Sequence, residues 1–445
     1  MLQEPKWLLF NDPGAGKTRT VLSWLKHTHA KALVLVPSIA SIDTWVRESE
    51  FTPELTCLPL TGSSVDNQHQ IKQDVDLYVM CYQSAVAMVS AKHGTKWALN
   101  PKLIAKCFGH LDALVVDESQ RCKNSSSLTW KMCRMVAKRV KYVYGLTGTP
   151  FKDPIDLWAQ FYLIDNGDTL GPTLGFYREI FFTKKFNFWG GYEFNFKKRL
   201  MPQLRRMIKN KSIRYEVNEY SDIEKPIYIP IKLRLPAGAK SYIDQAKSDL
   251  QQAVIDGEYH VAGNSFSRLR QLSSGFVTFD NDVDKVKIEL DSNPKLDSLC
   301  ELLETIPQES KVVVFHEFIF TNELISNRLT SLKINHARIW GGQRNPLDQL
   351  KKFREDPTYR VLVINIRSGS ASLNLQFANY VVFFDQPISS VDRIQAEARC
   401  WRSGQTRRVF VYDLLMDSTY DTRIHQAVKQ GQDLLSLLIN KQQEV

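Results

Sequence analysis

The sequence predicts an α/β protein: two parallel-sheet lobes with a largely helical insert and linker between them. Three observations carry this. Seven short β-branched runs stand out: KALVLVP (31–37), LDALVVDE (111–118), VKYVYGLTGTP (140–150), KVVVFHE (311–317), YRVLVIN (359–365), NYVVFFDQP (379–387) and RRVFVYDLL (407–415). Helical patterns such as TRTVLSWLKHTHA, LDSLCELLETI and TNELISNRLTSL fall between them. Strand and helix therefore alternate twice, over roughly 1–150 and 295–420. Continuous apolar strands of this kind belong to parallel sheets covered on both faces. The 445 residues suffice for two or three domains, and 43% hydrophobic content supports a buried core. The expected divisions are an N-terminal lobe at 1–150, an insert and linker at 151–295, and a C-terminal lobe with a terminal helix at 296–445.

The first element is the run WLLF, followed by NDPGAGKT and then a helical pattern. That is the strand–loop–helix setting of a phosphate-binding loop, although Asn11 stands where the general pattern has glycine. Gly14 and Gly16 tolerate positive φ and let backbone N–H groups approach phosphate oxygens. Lys17 is placed to neutralise the β- and γ-phosphates, and the Thr18 hydroxyl to hold Mg²⁺. The next diagnostic strand, ALVVDES, ends in adjacent carboxylates. Asp117 suits the metal through water, and Glu118 suits polarisation of an attacking water.

The middle of the chain has another character. Residues 176–196 hold ten aromatics, and Lys184 to Arg214 hold ten Lys/Arg against one Glu. The net charge of +10 is thus a patch and points to a polyanion. The aromatics read mainly as the core of the insert and the charges as a phosphate-facing surface. IEKPIYIPIKLRLP follows as an extended, proline-punctuated stretch, then AKSYIDQAKSDLQQAVIDG as a helix.

Gly-x-Gly-Lys-Thr, VVDES and LTGTP (146–150), in that order, resemble the first lobe of a superfamily-two helicase-type ATPase, and more narrowly the Swi/Snf type of DNA translocase. That family often shows Asp-Glu-x-Gly-Leu-Gly-Lys-Thr, so Asn11 and Asp12 stand at its acidic pair. VVDESQRCKNSSS matches its second motif at Asp117, Glu118, Lys123 and Asn124, with Gln120 in place of the usual His. RIQAEARCWRSGQ (393–405) resembles Gln-Ala-x-x-Arg-x-x-Arg-x-Gly-Gln. NIRSGSASLNL resembles Arg-x-Gly-Gly-x-Gly-x-Asn-Leu, with Ser370 and Ser372 replacing glycines.

The resemblance implies two RecA-like lobes with ATP and Mg²⁺ between them. Gly14, Ala15, Gly16, Lys17, Thr18, Arg19 and Gly369 would bind nucleotide, with Thr18 and Asp117 on the metal. Lys17, Asp117, Glu118, Gln395, Arg399 and Arg402 would act in hydrolysis. Arginines three apart on a helix share one face, so Arg399 and Arg402 are expected to reach the γ-phosphate together. Pro37, Ser38, Thr61, Gly62, Tyr82, Lys123, Asn124, His316, Ser368 and Asn374 are the implied nucleic-acid contacts. The basic region adds Lys197, Lys198, Arg199, Arg205 and Arg206. The region around WGGYEFN and LMPQLRRMIK most resembles the annealing-helicase branch.

The expected partner is duplex or forked DNA, engaged by a monomer. A strand-separating DNA or RNA helicase and a non-enzymatic nucleic-acid scaffold are the rival readings. No apolar run approaches the roughly 20 residues a membrane span needs, and the N-terminus lacks a secretion signal. A cytoplasmic or nuclear location is expected. Seven scattered cysteines without C-x-x-C spacing argue for reduced thiols over disulfides or zinc.

Overall fold

The structure, a computed structural model, describes residues 1–429 apart from 2–3, 94–95, 152, 187–191, 216–223, 257, 281–284, 341–342, 344–345, 370–372, 403 and 418. It divides into two compact units, Met1–Asp222 and Ile223–Val445.

In the first unit the order is β1 (Lys6–Leu9), α1 (Lys17–Thr28), β2 (Ala32–Val36), α2 (Ile39–Ser49), β3 (Cys57–Leu60), α3 (Ser64–Gln70), β4 (Leu77–Cys81) and α4 (Tyr82–Met88). A small hairpin, β5 (Ser90–His93) and β6 (Lys96–Leu99), leads to α5 (Pro101–Phe108), β7 (Ala113–Asp117), α6 (Leu128–Ala137) and β8 (Tyr142–Leu146). Then come α7 (Leu157–Asp165), α8 (Leu174–Phe181), the hairpin β9 (Phe182–Phe186) and β10 (Tyr192–Phe196), α9 (Met201–Lys209) and β11 (Ser212–Ile213).

The main sheet runs β11–β1–β8–β7–β2–β4–β3, with every pairing parallel. Its central strands β2 and β4 are apolar and buried at every position because both faces are covered. Leu33 and Leu35 of β2 point into one cluster, while Ala32, Val34 and Val36 point into the other. Side chains alternate across a strand, so a two-sided core demands a continuous hydrophobic run. Helix starts follow local chemistry: Ser38, Ser63, Asn100 and Ser127 each accept a first-turn backbone N–H.

The segment after β8 adds more than helices. Tyr177, Phe181 and Phe182 are buried in the first unit's core, and Phe181 stacks on Phe196 of the hairpin. The chain then returns as β11 beside β1, pairing Leu8 with Ser212 and Leu9 with Ile213.

The second unit contains β12 (Ile227–Leu233), α10 (Lys240–Ile255), α11 (Tyr259–Ser273), the hairpin β13 (Phe276–Asp280) and β14 (Lys285–Glu289), α12 (Pro294–Thr305), β15 (Val312–His316) and α13 (Ile319–Ser331). It continues through β16 (His336–Ile339), α14 (Pro346–Glu355), β17 (Val361–Asn365), α15 (Ile366–Gly369), β18 (Tyr380–Phe383), α16 (Ser390–Glu397), β19 (Phe410–Met416) and α17 (Tyr420–Lys429). Its parallel sheet runs β12–β19–β18–β15–β17–β16. The extended IYIPIKL stretch is the edge strand β12, where Pro230 is tolerated because an edge has a side that needs no donor. Helices α10 and α11 pack on each other through Ile243, Ala246, Leu250, Leu269 and Leu272.

A buried ion pair ties these helices to the sheet. Lys295 is fully buried, with Nζ 2.6 Å from Asp421 Oδ2 and donating to the Phe384 carbonyl at 2.8 Å. Asp421 also accepts from Ser273 Oγ at 2.9 Å and from the Met416 N–H at 3.2 Å. Removing one member of such a pair strands the other charge. Lys295→Met is expected to destabilise the chain by about 3–5 kcal/mol, and Lys295→Met with Asp421→Asn to regain part of that. Denaturant midpoints check both.

Candidate nucleotide site and nucleic-acid surface

The first unit's sheet places its chemistry along one edge, because the parallel strands all end on the same side. Gly14–Thr18 follow β1, Pro37 and Ser38 follow β2, Thr61 and Gly62 follow β3, Tyr82 opens α4 after β4, and Asp117 ends β7. Ligands of open α/β sheets bind at such carboxyl edges.

Gly14 and Gly16 have φ of 86° and 67°, the left-handed region open to glycine. A Cβ at Gly16 would meet nothing within 4 Å, so the space before the α1 N-terminus is open to a phosphate. A Cβ at Gly148, in LTGTP, would come within 2.5 Å of Pro13 Cδ, so that flank of the loop is closed by packing. Lys17 Nζ donates to the carbonyls of Asn11 (2.8 Å) and Asp12 (3.0 Å), folded back across its own loop. Arg19 is committed elsewhere: its Nε bonds Glu48 at 2.7 Å and its guanidinium lies 4.6 Å from the Phe51 ring centre. Ala15 donates its N–H to the Asp12 carbonyl, which shapes the turn.

The paired carboxylates are held from four directions. Trp45 Nε1 donates to Asp117 Oδ2 at 3.0 Å, and Tyr82 Oη donates to the Asp117 carbonyl at 2.6 Å. Burial pushes the Asp117 carboxyl up to about 6, with the neighbouring Glu118 charge adding to the rise. Glu118 adopts φ 55°, ψ 57°, a left-handed conformation that is rare for a residue with a side chain and is found at functional sites. Its Oε2 accepts from Gln120 Nε2 at 2.8 Å and Thr147 Oγ1 at 3.3 Å. Thr18 and Asp117 offer hydroxyl and carboxylate oxygens, the hard donors that magnesium takes. These residues fit the metal and a triphosphate.

Three supports are not legible in the sequence alone. Trp45 has the pattern of helix core, and Thr147 stands out only as part of a motif. Gln160, on an otherwise apolar helix, accepts from Ser119 Oγ at 2.8 Å and donates to the Pro150 carbonyl at 2.6 Å, joining the turns after β7 and β8. A glutamine within LWAQFYLI is the available signal for the last.

Several expected nucleic-acid contacts also do structural work. Tyr82 is buried under Asp117. Ser38 caps α2, Gly62 is bracketed by the buried Asn67 side chain, and Asn124 Oδ1 accepts from Ser126. Pro37 is half-buried, Thr61 is exposed, and Lys123 is exposed and paired with Asp156 at 3.3 Å. Lys197 is half-buried and held locally, its Nζ donating to the Glu179 and Ile180 carbonyls at 3.0 and 2.8 Å, at the end of α8. Lys198, Arg199, Arg205 and Arg206 are exposed, the last two on α9 with Leu204 turned inward.

In the second unit His316 is fully buried. Its Nδ1–H donates to the Phe318 carbonyl at 2.9 Å, and its Nε2 accepts from Asn322 at 2.8 Å. It has no exposed atom for a nucleic acid. Ser368 and Gly369 lie in α15 beyond β17, and Asn374 Oδ1 accepts the Gln376 N–H. Ser370 and Ser372 fall outside the described residues. Gln395 is half-buried on α16.

Arg399 and Arg402 do not share a helix face. Helix α16 ends at Glu397, and both arginines lie in the turns beyond. Beyond Glu397 the Arg399 and Cys400 N–H groups donate to carbonyls three residues back, on Ala396 and Glu397, and the Arg399 carbonyl accepts the Leu375 N–H at 3.0 Å. The helix residue that is locked is Arg393, which forks onto Asp413 and also binds Glu397.

Two family descriptions match this chain. The SNF2-related domain matches residues 3–215, and the helicase conserved C-terminal domain matches residues 294–404. The chain belongs to the SNF2-related helicase-type ATPases. Relatives include the uncharacterized ATP-dependent helicase MG018 of Mycoplasma genitalium, 25% identical over 96% of this chain and 40% of that protein. The ATP-dependent helicase FUN30 of Saccharomyces cerevisiae is 24% identical over 95% of this chain and 44% of that protein. The chain spans less than half the length of these relatives. A solved structure, the Sulfolobus solfataricus SWI2/SNF2 ATPase core in complex with dsDNA, is 20% identical with a TM-score of 0.40, covering 96% of this chain and 86% of that one. Among the described residues no helix is long and apolar enough to cross a membrane.

Burial pushes the His316 imidazole down to about 4, against the opposing pull of Asp385. A lowered histidine pKa means the unfolded chain binds more protons, so this stability is present above pH 6.5 and lost as pH falls towards 4. His316→Gln is expected to flatten the stability–pH slope across that window by an amount on the order of 2 kcal/mol. Denaturant unfolding at stepped pH measures it.

Proposed function

We propose that this ATPase is a DNA-stimulated, ATP-dependent duplex-DNA translocase or remodeller. The observation that carries the reading is the convergence, on one sheet edge, of the phosphate loop, the Asp117–Glu118 pair and Thr147 from the strand beside them. Lys17 would exchange the Asn11 and Asp12 carbonyls for phosphate oxygens. Thr18 and Asp117 would hold Mg²⁺, which supplies charge neutralisation on the phosphates when bound. With Glu118 Oε2 held by Gln120 and Thr147, Oε1 is the oxygen that orients the attacking water and takes its proton. Gln395, Arg399 and Arg402 are proposed to serve the same hydrolysis, Gly369 to aid nucleotide binding, and Ser368 and Asn374 to meet DNA, as the family resemblance implies.

The DNA side rests on chemistry that reads phosphate and not bases. Lys198, Arg199, Arg205 and Arg206 are solvent-exposed, and loop groups at Pro37, Ser38 and Thr61 sit on the active edge. Such contacts suit a motor that works on any sequence.

The ATPase rate measured with duplex DNA, forked DNA, single-stranded DNA and RNA side by side is expected to rise at least tenfold with duplex or forked DNA. Equal rates under all conditions would remove the proposal, and robust strand displacement in a gel would replace it with a strand-separating helicase. Lys17→Ala is expected to abolish hydrolysis while leaving DNA binding intact.

Neutralising Lys198, Arg199, Arg205 and Arg206 together is expected to weaken DNA binding for all sequences. The log–log salt slope should become shallower by about 0.9 for each phosphate that is no longer neutralised. An unaltered slope would show that the patch does not touch DNA.

A further inference from the structure

Asn11, the residue that breaks the general phosphate-loop pattern, is buried and bonded in two directions. Its carbonyl accepts from Lys17, and its side-chain Oδ1 accepts the backbone N–H of Tyr215 at 3.1 Å. Next to it, the Asp12 N–H donates to the Tyr215 carbonyl at 3.0 Å, and Asp12 Oδ1 pairs with Arg214 at 3.3 Å. The parallel pairing of β1 with β11 is thus carried past both strands, through Phe10 N–H to the Ile213 carbonyl at 2.8 Å, up to the mouth of the loop.

This zipper uses only the backbone of Tyr215. Tyr215 is 48% exposed and belongs to neither core cluster of the first unit. A nucleotide whose phosphates lie at the α1 N-terminus must send its base to one flank of the loop. On the β8 flank, Gly148 is packed against Pro13 too closely for even a Cβ. On the β11 flank stands Tyr215.

We propose that Tyr215 is the base-stacking wall of the nucleotide site, with Asn11 and Arg214 as the positioning residues that fix its backbone. The inference rests on the phosphate-loop reading above and names the part of that site which takes a purine nucleoside triphosphate. Stacking recognises a π-face and not a hydrogen-bonding edge, so Tyr215 contributes affinity for the base without choosing between adenine and guanine.

Isothermal titration of the full chain with ATP, GTP and inorganic tripolyphosphate tests this, using wild type, Tyr215→Ala, Tyr215→Phe and Tyr215→Trp. Tyr215→Ala should weaken ATP and GTP by about tenfold, the scale of one base–aromatic stack, and leave tripolyphosphate unchanged. The Phe and Trp variants should bind both nucleotides as wild type does. Unchanged ATP binding by Tyr215→Ala would overturn the proposal. So would equal loss of ATP and tripolyphosphate, because the segment would then only brace the loop. Lys17→Ala separates the two layers: tripolyphosphate binding that survives it would remove the phosphate-loop reading, and the Tyr215 assignment with it.

Discussion

Strand β1 is only four residues long, yet it is hydrogen-bonded along both edges, to β8 on one side and β11 on the other. The glycine-rich loop that leaves it has no helix or sheet of its own until Gly16 opens α1. Its shape is therefore set by what flanks it. Pro13 rests on Gly148 beyond β8, and Asn11 and Asp12 are stitched to Arg214 and Tyr215 beyond β11. Such bracing suits the proposed phosphate-binding role, because preorganised donors do not have to be reordered when charge arrives.

The carboxylate pair depends on the same adjacency. Asp117 and Glu118 end β7, and β7 is neighbour to β8, so Thr147 can reach Glu118 and Gln160 can bridge the two turns. Glu118 sits in a left-handed conformation that the chain would not adopt alone. The bonds from Gln120, Thr147, Trp45 and Tyr82 around the pair supply the restraint that holds it there.

The second unit meets a different problem, the burial of charge. Arg270 of α11 and Arg367 beyond β17 both pair with Glu317, at 3.2 and 3.3 Å, and Asp385 accepts the Glu317 N–H at 2.8 Å. Arg367 lies largely in solvent, but Arg270–Glu317, Arg393–Asp413 and Lys295–Asp421 are buried pairs. Such pairs are weak contributors to net stability but penalise every alternative packing that would separate them. They join the α10–α11 region to the strands behind it.

The amino-acid sequence by itself determined the two parallel sheets, because strands covered on both faces must be apolar at every position. It also carried the glycine-rich loop and the adjacent carboxylates from which the proposed site is read, because those chemistries require particular residue types at short, local spacing. What it left open were contacts between residues far apart in the chain. The pairing of Asn11 with Tyr215 spans 204 positions, Trp45 meets Asp117 across 72, and Gln160 meets Ser119 across 41. Nor could periodicity reveal that α16 stops before Arg399, where the chain passes into three-residue turns and bonds a loop distant in sequence. His316 carried a residue type suited to binding phosphate, yet burial took it away from the surface. Those decisions belong to the tertiary structure, because a side chain's partner is set by which strands lie side by side and not by its own identity.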